Sequence, residues 1–170
     1  MNFVGNETAG MLGLLICKDY VDEVVGYSRE FTGFARSLGF TPFRTIGDID
    51  PAPTICVHGT EIFPEAWLYE GEYPPTVKSF PYPEFKHQCI NIHPYLYCYK
   101  GKNVHPVTFA IKNRNTKASV GAHYMTDKID EGPVIIEKFK DIKLGTAQEV
   151  YQQLYPLYVE VISEILKKFV

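Results

Sequence analysis

Asn91, His93 and Asp130 are the side chains of this chain best suited to acyl transfer. In Cys89-Ile90-Asn91-Ile92-His93, alternate residues of a strand share a face, so Asn91 and His93 project together while Ile90 and Ile92 point the other way. Pro94 lacks an N–H and marks the strand's end. The Asn91 amide can donate to a carbonyl oxygen as it becomes an oxyanion, a contact typically worth roughly 10²–10³ in rate. The His93 imidazole can polarise that oxygen as a cation or take a proton as a base. Asp130, in Asp130-Glu131-Gly132-Pro133, can hold the imidazole or a water and accept the nucleophile's proton. This set suits acyl transfer to a neutral nucleophile. The chain has no Gly-Xaa-Ser-Xaa-Gly elbow, no His-Glu-Xaa-Xaa-His zinc motif, no phosphate loop with Lys and no Gly-Xaa-Gly-Xaa-Xaa-Gly.

The elements that must position these residues alternate between strand and helix. Asn2 to Gly5 reads as a strand, and Asn6-Glu7-Thr8 offers capping residues to a helix running to Cys17. Tyr20 to Tyr27 reads as a second strand, and Glu30 to Leu38 as a helix stopped by Gly39. Phe43 to Ile46, Thr54 to Gly59 and Lys86 to His93 read as further strands. Between the last two lies a long Pro- and aromatic-rich stretch, Glu70 to Pro83, read as an ordered loop or flap. Tyr95, Tyr97 and Tyr99 alternate as strand residues would. Val134 to Phe139 reads as an antiparallel strand. Thr146-Ala147-Gln148-Glu149 is a capping box opening a last helix, with Pro156 expected to kink it. Such alternation predicts an α/β, Rossmann-like fold, a mostly parallel central sheet with helices on both faces and ligands at the strands' carboxyl ends.

Residues 1–170 read as a single domain, long enough to bury a core. A net charge of −3 and a pI of about 5.9 give no electrostatic footprint for nucleic acid or an anionic membrane. The longest apolar run, Met11 to Cys17, is too short to cross a bilayer and lacks the flank of a signal peptide. Cys17, Cys56, Cys89 and Cys98 show no Cys-Xaa-Xaa-Cys spacing and read as buried free thiols, which predicts a cytoplasmic protein. His58, His87 and His105 have no metal-ligand spacing with carboxylates, and no metal is expected.

The ordered motifs resemble those of the folate-dependent formyltransferases: the glycinamide ribonucleotide, methionyl-tRNA and sugar N-formyltransferases. The resemblance rests on Asn91-Ile92-His93-Pro94-Tyr95-Leu96, on Tyr99-Lys100-Gly101, on the strand from Ala118 to Met125 with His123, and on Asp130-Glu131-Gly132-Pro133. It extends loosely to Val57-His58-Gly59-Thr60-Glu61-Ile62-Phe63-Pro64. It implies transfer of a formyl group from N10-formyltetrahydrofolate to a primary amine, with Asn91 and His93 stabilising the oxyanion and Asp130 relaying the proton. By the same carry-over the pterin lies against Ile62, Phe63, Pro64, Trp67, Met125, Thr126, Asp127 and Ile129. The acceptor lies near Gly5, Asn6, Tyr95 and His123, the last behind the reacting groups.

Tyr95 departs from the family pattern, which has a small residue there. The first strand lacks a Gly-rich phosphate loop and places Glu7 at the helix start, where an acid repels a phosphate. The chain also ends at Val170 without the tRNA-binding domain of the methionyl-tRNA enzyme. The expected acceptor is therefore a small amine, an amino sugar before others, perhaps linked to a nucleotide. Glycinamide ribonucleotide transfer, hydrolysis of formyltetrahydrofolate and folate binding with little turnover are the alternatives. The oligomeric state is left open, a homodimer included.

Overall fold

The computed structural model describes residues 1–50, 52–58, 89–99, 105–126 and 128–169. Its strands are Asn2–Gly5 (β1), Glu23–Gly26 (β2), Thr54–Val57 (β3), Cys89–Pro94 (β4), Lys117–Tyr124 (β5) and Val134–Asp141 (β6). They form one sheet in the order β2-β1-β3-β4-β5-β6. The four strands from β2 to β4 pair in parallel, and β5 and β6 add by antiparallel pairing. The α/β class with a mostly parallel sheet is as the sequence predicts. Parallel strands are covered on both faces, which is why Phe3-Val4, Val24-Val25 and Ile55-Cys56-Val57 are apolar without alternation.

Helices Glu7–Cys17 (α1), Arg29–Ser37 (α2), Pro106–Lys112 (α4) and Ala147–Phe169 (α5) contribute to the larger core cluster, with a short turn, Leu96–Tyr99 (α3), after β4. That cluster takes Phe3, Val24, Ile55, Ile90, Ile92, Val120 and Ala122 from one face of the sheet. The opposite face presents Val4, Val25, Cys56 and Cys89 to Ile46, Ile49, Phe43 and Met125. By strand alternation Asn91, His93 and His123 belong to this second face. The predicted α5 capping box forms: the Thr146 N–H donates to Glu149 Oε2 at 2.7 Å, and the Glu149 N–H donates to Thr146 Oγ1 at 3.3 Å. The chain stays helical through Pro156.

Several elements differ from expectation. The second strand is only Glu23–Gly26, because Lys18–Tyr20 form a 3₁₀ turn. Phe43 makes a single parallel bridge to Val25, after which Ile46–Asp48 close another 3₁₀ turn. Tyr95, Tyr97 and Tyr99 do not form a strand: Tyr95 takes φ +55° and the next four residues are helical. Asn6 precedes α1 without capping it by its side chain; its Oδ1 instead accepts from the Ser28 N–H at 3.0 Å.

Two close approaches fix the parts nearest the site. Gly5 and Gly26 are register partners, and the Phe31 ring of α2 lies where a Cβ of either would stand. Gly132 presses against the Tyr124 carbonyl, which would lie 1.7 Å from a Cβ added there. Beside it the Tyr124 N–H donates to the Pro133 carbonyl at 3.0 Å, so the β5–β6 loop is folded back onto the sheet. Gly132→Ala must therefore move backbone. We expect a loss of about 1–3 kcal/mol in denaturant unfolding, and an unchanged unfolding midpoint would refute this account of the loop.

Candidate functional site

Asn91 lies within β4, and the antiparallel register sets it directly opposite His123 of β5. His93 is two residues on, across from Gly121, on the same face. The β5–β6 loop folds over that face and delivers Asp130. Asn91 Nδ2 donates to Asp130 Oδ1 at 3.1 Å, and the same oxygen lies 3.5 Å from His93 Nε2 and 3.4 Å from His123 Nε2. The sequence-predicted catalytic residues thus meet around one carboxylate oxygen, with His123 as a fourth partner. His93 and His123 rings stand edge to face at 5.2 Å. Both are buried, whereas Asn91 is half-buried and the Asp130 side chain is 25% exposed, so the cluster opens to solvent on the amide and carboxylate side.

The tautomers follow from the partners. His93 Nδ1 lies 3.1 Å from the Pro94 carbonyl and His123 Nδ1 lies 2.7 Å from the Tyr124 carbonyl. A carbonyl only accepts, so each Nδ1 carries the hydrogen. Burial pushes the His93 imidazole down to about 4 despite the opposing charge of Asp130. At neutral pH its Nε2 is therefore a bare acceptor beside a carboxylate oxygen. Neither Nε2 closes hydrogen-bond geometry, although both are within ion-pairing distance of Asp130. Burial by itself would raise the Asp130 carboxyl, but contact with His123, His93 and Asn91 outweighs it and holds the group below its ordinary value. Among the described residues Asn91 is the one donor hydrogen-bonded to this oxygen. At neutral pH both Asp130 and the His93 Nε2 are therefore unprotonated.

The same three groups are the ones among the described residues that could hold a metal ion: the ligand atoms of His93, His123 and Asp130 lie within 4.8 Å of one another. They come from separate segments, so sequence spacing gave no sign of them.

A second polar chain starts at the mouths of β1 and β3. His58 follows β3, and the register of β3 with β4 makes it the backbone neighbour of His93. Its Nδ1 donates to Glu7 Oε2 at 3.0 Å, and its Nε2 hydrogen-bonds the Tyr158 hydroxyl of α5. The His58 bond lowers the Glu7 carboxyl and outweighs partial burial, while burial raises the Tyr158 phenol far above its usual range. Glu7 is thus ionised and faces a cavity of about 380 Å³ lined with His58, Gln148, Tyr151 and Tyr155. The sequence gives His58 no metal-ligand spacing and gives Glu7 only the place of an acid at a helix start. The signal was that His58 directly follows one strand and Glu7 comes two residues after another.

The other predicted contacts divide. Ile129 is exposed beside Asp130, Met125 is half-buried, and Thr126 is buried with its hydroxyl bonded to Lys128. Gly5 and Asn6 sit at the β1 mouth, Gly5 packed under Phe31. Tyr95, expected at the acceptor, is fully buried in the larger core cluster. Ile62, Phe63, Pro64, Trp67 and Asp127 lie outside the described residues, as does the Glu70 to Pro83 loop. Cys17, Cys56 and Cys89 are buried and in no disulfide, Cys98 is only half-buried where burial was expected, and burial pushes Cys17 and Cys89 up to about 12. No helix among the described residues is long and apolar enough to cross a membrane.

The molecule is thus a mixed α/β sheet whose β4–β5 pair carries an amide and two imidazoles, with a carboxylate brought over them by the β5–β6 loop. Residues 82–166, half of the chain, match the formyl transferase family, and the chain belongs to that family. Over 84 residues it is 31% identical to the methionyl-tRNA formyltransferase of Thermotoga neapolitana, a match covering 49% of this chain and 26% of that protein. The N-formyltransferase of Helicobacter canadensis superposes with a TM-score of 0.72 at 16% identity, covering 97% of this chain and 61% of that one. Phosphoribosylglycinamide formyltransferase of Bacillus halodurans superposes with a TM-score of 0.69 at 13% identity, covering 100% and 97%. The chain therefore spans about a quarter of the methionyl-tRNA relative over the matched stretch, and 61% of the Helicobacter canadensis enzyme.

Two outcomes test the electrostatics. A histidine whose folded pKa lies near 4 against an ordinary 6.5 binds its proton more readily unfolded, so stability falls as pH drops from 6.5 to 4. Asp130, held low, adds its own loss only at still more acid pH. Denaturant midpoints should fall over that interval and should flatten in His93→Gln; equal slopes in both proteins would sink the assignment. In an activity assay EDTA should change nothing and added Zn²⁺ should inhibit by engaging His93, His123 and Asp130. Loss of activity on chelation would instead make the trio a resident metal centre.

Proposed function

We propose that this chain transfers a formyl group from N10-formyltetrahydrofolate to the primary amine of a small acceptor, an amino sugar. The observation carrying the reading is the convergence of Asn91, His93 and Asp130 on one carboxylate oxygen in a member of the formyl transferase family. The exposed Ile129 next to Asp130, and the half-buried Met125 where the same loop leaves β5, suit the flat, largely apolar pterin. The donor supplies an activated formyl carbonyl, and the remaining work falls to the protein.

Asn91 Nδ2, on the open side of the cluster, donates to the formyl oxygen as charge develops on it. A new C–N bond forms to the acceptor nitrogen, which must shed one proton. Asp130, short of hydrogen-bond donors, takes that proton, and His93 Nε2 beside it can share it. The bond from the formyl carbon to the folate nitrogen then breaks, and the same proton passes to that nitrogen. No net proton is consumed.

The choice of an amino sugar draws support from the Helicobacter canadensis enzyme, described in complex with folinic acid and dTDP-3-aminofucose. It also fits the cavity one strand away from His93. Glu7, His58, Gln148, Tyr151 and Tyr155 offer hydroxyl, amide and carboxylate partners for sugar hydroxyls, and the ionised Glu7 disfavours a phosphate there.

Asn91→Ala and Asp130→Ala should each lower turnover by roughly 10²–10³, read as tetrahydrofolate formed with an amino sugar present. Unchanged turnover in both would overturn the assignment. Equal tetrahydrofolate release with and without the amine would make water the acceptor and the chain a hydrolase.

A further inference from the structure

Three of the chain's four arginines line a single cavity. Arg29, Arg36 and Arg44 surround about 470 Å³ together with Tyr27, Thr32 and Pro42. Arg29, Thr32 and Arg36 lie at i, i+3 and i+7 of α2 and so share one helix face. Arg44 comes from the segment whose Phe43 bridges Val25 at the free edge of β2; the Gly26 N–H donates to the Phe43 carbonyl at 3.1 Å and fixes it there. α2 is held by the Phe31 ring on Gly5 and Gly26, so both walls of the cavity are anchored in the sheet.

No carboxylate lines this cavity among the described residues, and none of the three guanidiniums has an ion-pair partner there. The chain as a whole carries net charge −3, so this convergence is not a reflection of a basic protein. Three guanidiniums around one space repel one another, and an anion between them relieves that repulsion. Arginine, with its planar fork of donors, suits phosphate oxygens by paired contacts. The volume lies in the small-molecule range of roughly 300–1,000 Å³ and exceeds what a lone phosphate needs. The Tyr27 ring and Pro42 add an apolar wall, and Thr32 a hydroxyl.

We propose that this cavity binds a phosphorylated small molecule of nucleoside-diphosphate size, the phosphates held by Arg29, Arg36 and Arg44. The site is separate from the Asp130 cluster: β1 and β3 stand between β2 and β4 in the sheet. Phosphate binding there does not depend on formyl transfer, because it is measured without folate or amine.

The test is isothermal titration of the full chain with UDP, with uridine and with sulfate as probes. UDP should bind, uridine should bind at least tenfold more weakly, and UDP affinity should fall with rising salt. Arg36→Glu and Arg44→Glu, both at exposed positions, should each weaken UDP at least tenfold while keeping the wild-type melting temperature within a few degrees. Arg36→Lys should recover part of the loss. UDP binding that is absent, no tighter than sulfate, or indifferent to both charge reversals overturns the proposal. Should these variants lose UDP binding yet retain formyl transfer to an unphosphorylated amino sugar, the site is confirmed as independent of the reaction centre.

Discussion

The site depends on a single carboxylate oxygen. Asp130 Oδ1 takes the Asn91 amide and faces the Nε2 atoms of His93 and His123, so it ties the β5–β6 loop to two adjacent strands at once. The two imidazoles cannot rotate to satisfy it better, because each Nδ1 is committed to the carbonyl of the residue that follows it. Burial keeps His93 neutral while its neighbours keep Asp130 ionised, so at neutral pH the two face each other as bare acceptors and not as a settled ion pair.

That geometry is stored in the backbone. Among the described residues, the non-glycine positions at positive φ are Glu7, His58, Tyr95, Arg114 and Asp130. Glu7, His58 and Tyr95 follow the ends of β1, β3 and β4, and Asp130 is on the loop closing over β4. Each such residue costs on the order of 1–3 kcal/mol, which the surroundings must offset. At Asp130 the offset comes from the Asn91 bond and from Gly132 packed on the Tyr124 carbonyl. At Glu7 and His58 it comes from their mutual bond and from Tyr158. At Tyr95 it comes from full burial of the ring beneath the site. Removing the left-handed turn at His58 would leave its side chain on the face of Asn91; the turn directs it to α5 instead.

Much of this was legible in the sequence, and the limits have physical causes. Period-two alternation in β4 gave the shared face of Asn91 and His93, the apolar runs gave the parallel strands, and Thr146 with Glu149 gave the start of α5. Failures arose where one residue's backbone overrides a local pattern. The tyrosines at 95, 97 and 99 alternate as a strand does, but the left-handed turn at Tyr95 starts a helix and sends that ring into the core. Phe43 has a strand's composition but gains only one bridge, because the chain turns at Ile46. The place of Asp130 was legible as a motif but not as a contact. It leaves β5 beside the amino half of β4 and returns across the sheet face, a path set by Gly132 and Pro133.

The tie between α5 and the strand ends explains why the two polar systems coexist without merging. His58 follows β3 and His93 lies within the paired β4, yet one is turned toward the helices and the other faces Asp130. Were His58 on the Asp130 face, a third imidazole would compete for the single carboxylate oxygen and fill its vacant donor position. Binding His58 between Glu7 and Tyr158 keeps that position open. It also leaves the Glu7 carboxylate ionised at the neighbouring cavity, so negative charge stands on both sides of His93. Asp130, on the other face, remains the carboxylate that holds Asn91 in place.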